Sequence, residues 1–257
     1  MSKTDFSAFS LAGKRILVTG ANTGIGQGIA VSIARAGGRV IGVGRSAMDE
    51  TARKVAAVGG GFEAVHCDLG DPVAAQAMLD RVWDESGLLD GLVNNAGIIR
   101  RADAVDLTET DWDDVLDVNL KTVFMLSQSF ARHVLADPGR RGKIVNIASV
   151  LSFQGGIRVA SYTASKHGVL GITRLLACEW AAKGINVNAI APGYIETNNT
   201  EALRADPDRS ASILARIPAG RWGGPEDIGD AAVFLLAPAS NYMHGAVVPV
   251  DGGWLAR

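Results

Sequence analysis

Arg15-Ile16-Leu17-Val18-Thr19-Gly20-Ala21-Asn22-Thr23-Gly24-Ile25-Gly26 reads as a buried strand, a tight turn and the first turn of a helix. The strand is nearly continuous in apolar residues, which fits a strand covered on both faces. Gly20 permits the turn, Gly24 leaves room for a pyrophosphate to approach the backbone, and Gly26 lets the helix pack close to the sheet. The N-terminus of such a helix offers unpaired N–H groups and the positive end of its dipole to an anion. The spacing is G-x-x-x-G-x-G, not the commoner G-x-G-x-x-G, and a purely structural tight turn is also compatible with it.

The same rhythm continues outward. Short apolar runs fall at Arg39–Val43, Glu63–Cys67, Gly91–Asn94, Lys143–Ala148, Ile185–Ile190 and Ala246–Val250. Amphipathic stretches separate them at Ile25–Ala36, Ala47–Val58, Pro72–Glu85, Trp112–Leu135, Tyr162–Lys183 and Pro225–Leu236. Strict alternation implies βαβ units with right-handed crossovers. The expected fold is α/β, a doubly wound Rossmann-type domain spanning residues 1–257, with a seven-stranded parallel sheet and helices on both faces. The long polar stretch Pro192–Gly224 interrupts the rhythm. It reads as a segment that covers a substrate site over about 193–224, or as a plain surface excursion.

The composition excludes several classes. The chain has 257 residues, 47% of them hydrophobic and 20% charged, which is unlike a disordered polymer. A net charge of −2 gives no basic field for nucleic acid or an anionic membrane. No secretory signal and no run long enough to span a bilayer is evident, so a cytoplasmic location is expected. Glycine is in excess, with 31 residues. Two cysteines, Cys67 and Cys178, make no disulfide framework and read as core residues. His66, Cys67 and Asp68 are consecutive on a strand and cannot converge on an ion, so no metal is expected.

At the end of the second strand stands Gly44-Arg45-Ser46, with no carboxylate. A carboxylate there would pair with the ribose 2′-OH of NAD, whereas an arginine suits the 2′-phosphate of NADP. Arg45 could instead stack on adenine and accept either cofactor, so the expectation is NAD(P) with a lean to NADP. Tyr162 and Lys166 stand at i and i+4, on one face of a helix. A nearby ammonium is expected to lower the tyrosine pKa and make Tyr162 a usable acid/base. Ser149, just past a strand, can hold a substrate oxygen. Asn119 is a polar residue in an apolar helix, either at a kink or holding a water beside Lys166.

Thr19-Gly20 with Gly24 and Gly26, Asn94-Asn95-Ala96-Gly97, Tyr162-x-x-x-Lys166, Pro192-Gly193 and Asp251-Gly252-Gly253 together resemble the short-chain dehydrogenase/reductase family, in order, from about residue 10 to 257. The resemblance implies a catalytic tetrad of Asn119, Ser149, Tyr162 and Lys166. It also implies cofactor contacts from Gly20, Asn22, Thr23, Gly24, Ile25, Gly26, Arg45, Asp68, Leu69, Asn95, Ala96, Gly97, Tyr162, Lys166, Pro192, Gly193, Ile195 and Thr197. Asp68 would accept from the adenine amino group, although a helix cap before Pro72 is the competing role. Tetramers formed through the helices that begin near Trp112 and Tyr162 are usual in the family, so a homotetramer is expected.

Ile98-Ile99-Arg100-Arg101, Ser152 to Val159, and Ala191 to Thr200 are similar to a branch of the family that oxidises sugar acids. That similarity implies NAD(P)-dependent oxidation of a secondary alcohol, or the reverse reduction. Ser149, Gln154, Arg158 and Tyr162 would meet the substrate. Arg100, Arg101, Arg158 and Arg204 are candidates for its carboxylate, or else surface charges. Members of that branch mostly use NAD, which is at odds with Arg45. A gluconate dehydrogenase, a 3-oxoacyl thioester reductase and a non-catalytic dinucleotide sensor are the alternatives.

Overall fold

The computed structural model describes residues 6–257. Seven parallel strands form one sheet in the order β3-β2-β1-β4-β5-β6-β7. They are β1 (Arg15–Thr19), β2 (Arg39–Gly44), β3 (Phe62–His66), β4 (Gly91–Asn94), β5 (Gly142–Ile147), β6 (Ile185–Pro192) and β7 (Val247–Val250). The helices are α1 (Gly24–Arg35), α2 (Asp49–Ala57), α3 (Pro72–Ser86), α4 (Glu109–Leu116), α5 (Thr122–Ala136), α6 (Ala160–Trp180), α7 (Glu201–Ala205), α8 (Pro207–Leu214) and α9 (Pro225–Leu236). The expected doubly wound sheet is therefore present.

The sheet is buried on both faces because its strands alternate between two apolar layers. In β1, Ile16 and Val18 join the layer with Ile29 and Ile33 of α1 and Ile228 of α9. Leu17 faces the other way, against Met78 and Leu79 of α3 and Phe130 of α5. The helix starts are set locally. Asp71 accepts from the N–H groups of Val73 and Ala74, both at 3.0 Å, and Pro72 opens α3. Asp206 and Pro207 repeat that device at α8. Strand order reverses between β1 and β4, which opens a crevice beyond their C-terminal ends.

The structure departs from the sequence expectations at three places. The helix expected over 112–135 is split by a π-helical turn, Asp117–Lys121, between α4 and α5. Such a turn carries one extra residue per loop of backbone and leaves the apolar pattern readable as a single helix. The segment after β6 is not wholly irregular. It holds α7 and α8, and its stem is closed by a bridge between Ile195 and Gly223. Neither cysteine is in the core: Cys178 is exposed and Cys67 is half-buried. Cys178 stands on α6 one residue beyond the buried Leu176 and Ala177, where the helix turns its outer face to solvent.

Helices α1 and α9 approach closely because glycine lies at the crossing. A Cβ on Gly28 would stand 2.6 Å from the carbonyl carbon of Pro225. Gly28→Ala should therefore destabilise the fold by at least the ~1–3 kcal/mol typical of overpacking. Urea unfolding measures this, and an unchanged midpoint would contradict the packing described.

Candidate active site

The crevice is a cleft of about 770 Å³, lined by residues from the C-terminal ends of β1 to β6 and the loops that follow them. Every residue expected at the cofactor, from Gly20 to Thr197, lines it, as does Ser149. Asn119 lies just beneath, fully buried.

The β1–α1 turn fits a phosphate group. Gly20 and Gly24 have φ of +66° and +55°, the left-handed region that glycine alone adopts readily. Thr23, at the N-cap of α1, makes no side-chain capping bond, so the first-turn N–H groups face the cleft without that partner. A Cβ on Gly26 would stand 2.1 Å from the Gly20 carbonyl oxygen, so the helix is pressed against its own turn. The turn is also tied to β4. Thr19 Oγ1 accepts from the N–H of Asn95 at 2.9 Å and of Ala96 at 3.0 Å. Asn95 Nδ2 donates to Thr19 O at 2.8 Å. Asn95 thus braces the floor of the cleft with its side chain.

At the far end, Arg45 Nη1 stands 3.8 Å from Asp68 Oδ1, and both side chains are largely exposed. Asp68 accepts from the N–H of Gly70 at 2.9 Å, and the cap of α3 is Asp71. Asp68 is therefore not the helix cap, which leaves its carboxylate directed along the cleft wall beside Arg45. Asn22 Nδ2 donates to Ser46 Oγ at 2.8 Å and ties the glycine turn to the loop that carries Arg45.

The tetrad residues meet at the other end. Tyr162 and Lys166 come from one face of α6, with Lys166 Nζ 5.5 Å from the Tyr162 ring centre. Lys166 Nζ donates to Ile147 O at 2.7 Å. Burial pushes its pKa down to about 8. Burial likewise pushes the Tyr162 phenol up, while a hydrogen bond to Ser149 and the charge of Arg101 pull it down. The expected lowering by Lys166 is not what governs the phenol in this cleft. The lysine is itself desolvated and directed to a backbone carbonyl.

Ser149 Oγ accepts from the N–H of Leu151 at 3.1 Å. A hydroxyl has one proton and two lone pairs, so this bond leaves the proton for Tyr162 or a substrate oxygen. Asn119 sits in the π turn. Its Oδ1 accepts from Ile98 N–H and its Nδ2 donates to Ile98 O, both at 2.9 Å, and Nδ2 also reaches Ser165 Oγ at 3.3 Å. The reading of Asn119 as standing at a helix irregularity is met, and its side-chain amide is occupied by Ile98 and Ser165.

The candidate arginines differ in what holds them. Arg100 pairs with Asp111 and Asp114, each at 3.1 Å. Arg158 pairs with Asp103 at 3.2 Å and has a φ of +63°. Arg204 donates to Thr197 O at 3.3 Å. Arg101 donates to Asn199 O at 3.3 Å and lies close enough to act on the Tyr162 phenol. Of these candidates Arg100 lines the cleft, whereas Arg101, Gln154, Arg158 and Arg204 are not among its lining residues.

Sequence reasoning missed two supporting networks. Asn94 donates to Ser127 Oγ at 3.0 Å and to Asn146 Oδ1 at 2.9 Å, and Asn146 donates to Thr173 Oγ1 at 2.9 Å. This buried ladder ties β4, β5, α5 and α6 beneath the tetrad. Its only signal was an asparagine in each of two apolar strands. The second network centres on Ser152 and carries no sequence signal beyond its place near Ser149. Among the described residues, no group of three His, Cys, Asp or Glu side chains is placed to hold a metal ion.

A doubly wound sheet whose crevice brings together a glycine turn and a Ser-Tyr-Lys constellation defines a nucleotide-dependent oxidoreductase. The family described as Enoyl-(Acyl carrier protein) reductase matches residues 20–255, and the chain belongs to the short-chain dehydrogenases/reductases. It is 57% identical to the 2-dehydro-3-deoxy-D-gluconate 5-dehydrogenase of Escherichia coli (strain K12), over 98% of this chain and 99% of that one. An Agrobacterium tumefaciens structure with bound NADP, provisionally assigned as a 2-deoxy-D-gluconate 3-dehydrogenase, is 63% identical with a TM-score of 0.93, covering 97% of this chain and 99% of that one. A gluconate 5-dehydrogenase from Burkholderia cenocepacia J2315, in complex with NADP and tartrate, is 36% identical with a TM-score of 0.91, covering 98% of each.

Asn119→Ala should leave the backbone groups of Ile98 without their partners. Loss of about 1–3 kcal/mol of stability and a fall in turnover are expected, measured by chemical unfolding and steady-state rates. Unchanged stability would contradict the clamp.

Proposed function

We propose that the protein is an NAD(P)-dependent dehydrogenase acting on a secondary alcohol of a sugar acid, 2-deoxy-D-gluconate or its 2-keto-3-deoxy counterpart, with NADP preferred. The observation that carries the sugar-acid reading is Arg101, whose guanidinium donates to the Asn199 carbonyl, makes no ion pair among the described residues, and favours the Tyr162 phenolate by its charge. The full-length relatives named above act on, or are assigned to, such acids. A guanidinium fork suits a carboxylate. The lean to NADP rests on Arg45, with no carboxylate at Gly44 or Ser46 to oppose a 2′-phosphate.

When bound, the nicotinamide accepts or supplies the hydride. Tyr162 Oη takes the hydroxyl proton in oxidation and returns it to the carbonyl oxygen in reduction. Ser149 directs its remaining proton to the same oxygen and holds it in register. Lys166 would hold the cofactor ribose, and its ammonium would add positive charge beside the phenol. Asn119 supports proton transfer by keeping Ile98 and Ser165 in place around Lys166. Segment 193–224 covers the substrate, with its stem fixed by the Ile195–Gly223 bridge and the Arg221–Asp227 pair at 2.7 Å.

A cytoplasmic homotetramer belongs to the same proposal. Trp112, Leu135 and Leu175 are exposed apolar side chains on α4, α5 and α6, faces that a second copy would cover. No helix among the described residues is long and apolar enough to cross a membrane.

Tyr162→Phe should cut turnover by about 10²–10⁴-fold, the usual share of acid–base catalysis, while fluorescence titration still detects NADPH binding. Full turnover would contradict the role of the phenol, and a sensor would retain its function. Because burial raises the phenol pKa, alcohol oxidation, which needs the phenolate, should accelerate as pH rises, whereas carbonyl reduction should not. Arg45→Ala should raise KM for NADP about tenfold and leave KM for NAD within a factor of two, the loss of one charge-assisted pair. Equal effects on both cofactors would place Arg45 on the adenine.

A further inference from the structure

Ser152 is buried, with a relative exposure of 4%, and its single hydroxyl serves two partners. It accepts from the backbone N–H of Ser149 at 3.2 Å and donates to the backbone carbonyl of Lys166 at 2.7 Å. The first bond belongs to a reciprocal cap, in which Ser149 O also accepts from the N–H of Ser152 at 2.9 Å. The second crosses to α6. Lys166 lies on that helix one turn beyond Tyr162, so the carbonyl that Ser152 grips belongs to the rigid element that carries the phenol. Between the 149–152 turn and α6 the chain makes an exposed excursion, Phe153 to Arg158, that ends in a residue at positive φ. Sequence continuity through that excursion does little to fix how Ser149 faces Tyr162. Direct bridges must do it: Lys166 to Ile147 O and Asn146 to Thr173 tie α6 to β5, and Ser152 ties it to the backbone of Ser149 itself.

We propose that Ser152 is a positioning residue for the proton-transfer pair, holding the Ser149 turn against the catalytic helix so that the Ser149 hydroxyl meets the Tyr162 phenol. The proposal rests on the reading of Ser149 and Tyr162 as the groups that handle the substrate oxygen. Ser152 touches neither substrate nor cofactor: it does not line the cleft, whereas Ser149, Tyr162 and Lys166 do. Its effect must therefore appear in turnover and in the protonation of Tyr162, not in cofactor affinity. The groups facing the phenol are Lys166 from its own helix, Ser149 from the turn after β5, and Arg101 from the loop after β4. Of these, only the Ser149 contact runs through Ser152.

The test compares Ser152→Ala, Ser152→Thr and Tyr162→Phe with the parent enzyme, using 2-deoxy-D-gluconate and NADP⁺. Ser152→Ala should lower kcat by about tenfold, the scale of one buried hydrogen bond, with KM for NADP⁺ within a factor of two. The pH profile of kcat/KM for oxidation, which reports the free enzyme before Ser149 turns its proton to the substrate oxygen, should move to higher pH, because a phenol that loses the Ser149 bond holds its proton more tightly. Ser152→Thr, which keeps the hydroxyl, should lie within about threefold of the parent and keep its profile. If Ser152→Ala does not fold, Ser152→Cys gives the same readout, since a thiol hydrogen-bonds too weakly to hold both partners. A folded Ala or Cys variant with parental kcat and pH profile would overturn the proposal. So would a loss of kcat with no pH shift, which a merely structural role would give. A fully active Tyr162→Phe would instead overturn the underlying reading, so the two failures are distinguishable.

Discussion

The contact between the β1–α1 turn and the exit of β4 constrains everything else in the cleft. Thr19 and Asn95 hold these two backbones together by reciprocal hydrogen bonds, and Gly26 leaves no space for a side chain between helix and turn. The direction of α1 follows, and with it the place where its N-terminal amides point. The chain leaving β4 then runs through Gly97 to Ile98, where Asn119 grips both backbone groups. Asn119 also reaches Ser165 on α6. A bare glycine at 97 keeps this stretch close to Asn119: a Cβ there would sit 3.2 Å from Asn119 Oδ1. The nucleotide end and the chemical end of the cleft are thus tied together by short hydrogen bonds.

Electrostatics at the chemical end follows from burial. In the cleft both members of the Tyr162–Lys166 pair are driven towards their neutral forms, the phenol upward and the ammonium down to about 8. The phenol by itself does not suit base chemistry at neutral pH, and the lysine, although near 8, has its Nζ directed to the Ile147 carbonyl. Ser149 and Arg101 counter this by favouring the phenolate. A guanidinium brought near the reacting oxygen therefore has two uses: it suits an acidic substrate and it favours the charged state of the base. In the reaction proposed here, a substrate carboxylate held by Arg101 would offset part of that second effect and so couple substrate charge to phenol acidity.

The fold was legible in the sequence because its signals are local and repeated. Each strand is an apolar run, each helix an amphipathic one, and the turn after β1 carries its glycines at fixed spacing. Tyr162, Lys166 and the glycine-turn residues were legible for the same reason, since i,i+4 spacing and a tight turn are properties of neighbouring residues. The π turn at Asp117–Lys121 was not, because one extra backbone residue leaves apolar periodicity almost unchanged. The part of Asn95 as a brace, the ladder through Asn94 and Asn146, and the bridge at Ser152 were also hidden. Each depends on pairing between segments far apart in the chain. The upward push on the Tyr162 phenol comes first from desolvation, which spacing on a helix cannot reveal.

The most direct test of the account is nicotinamide absorbance followed with 2-deoxy-D-gluconate and NADP⁺ or NAD⁺ side by side. Saturable reduction, faster at low concentration with NADP⁺, is the result predicted. No reduction of either cofactor with this acid, together with brisk oxidation of NADPH by a 3-oxoacyl thioester, would contradict it.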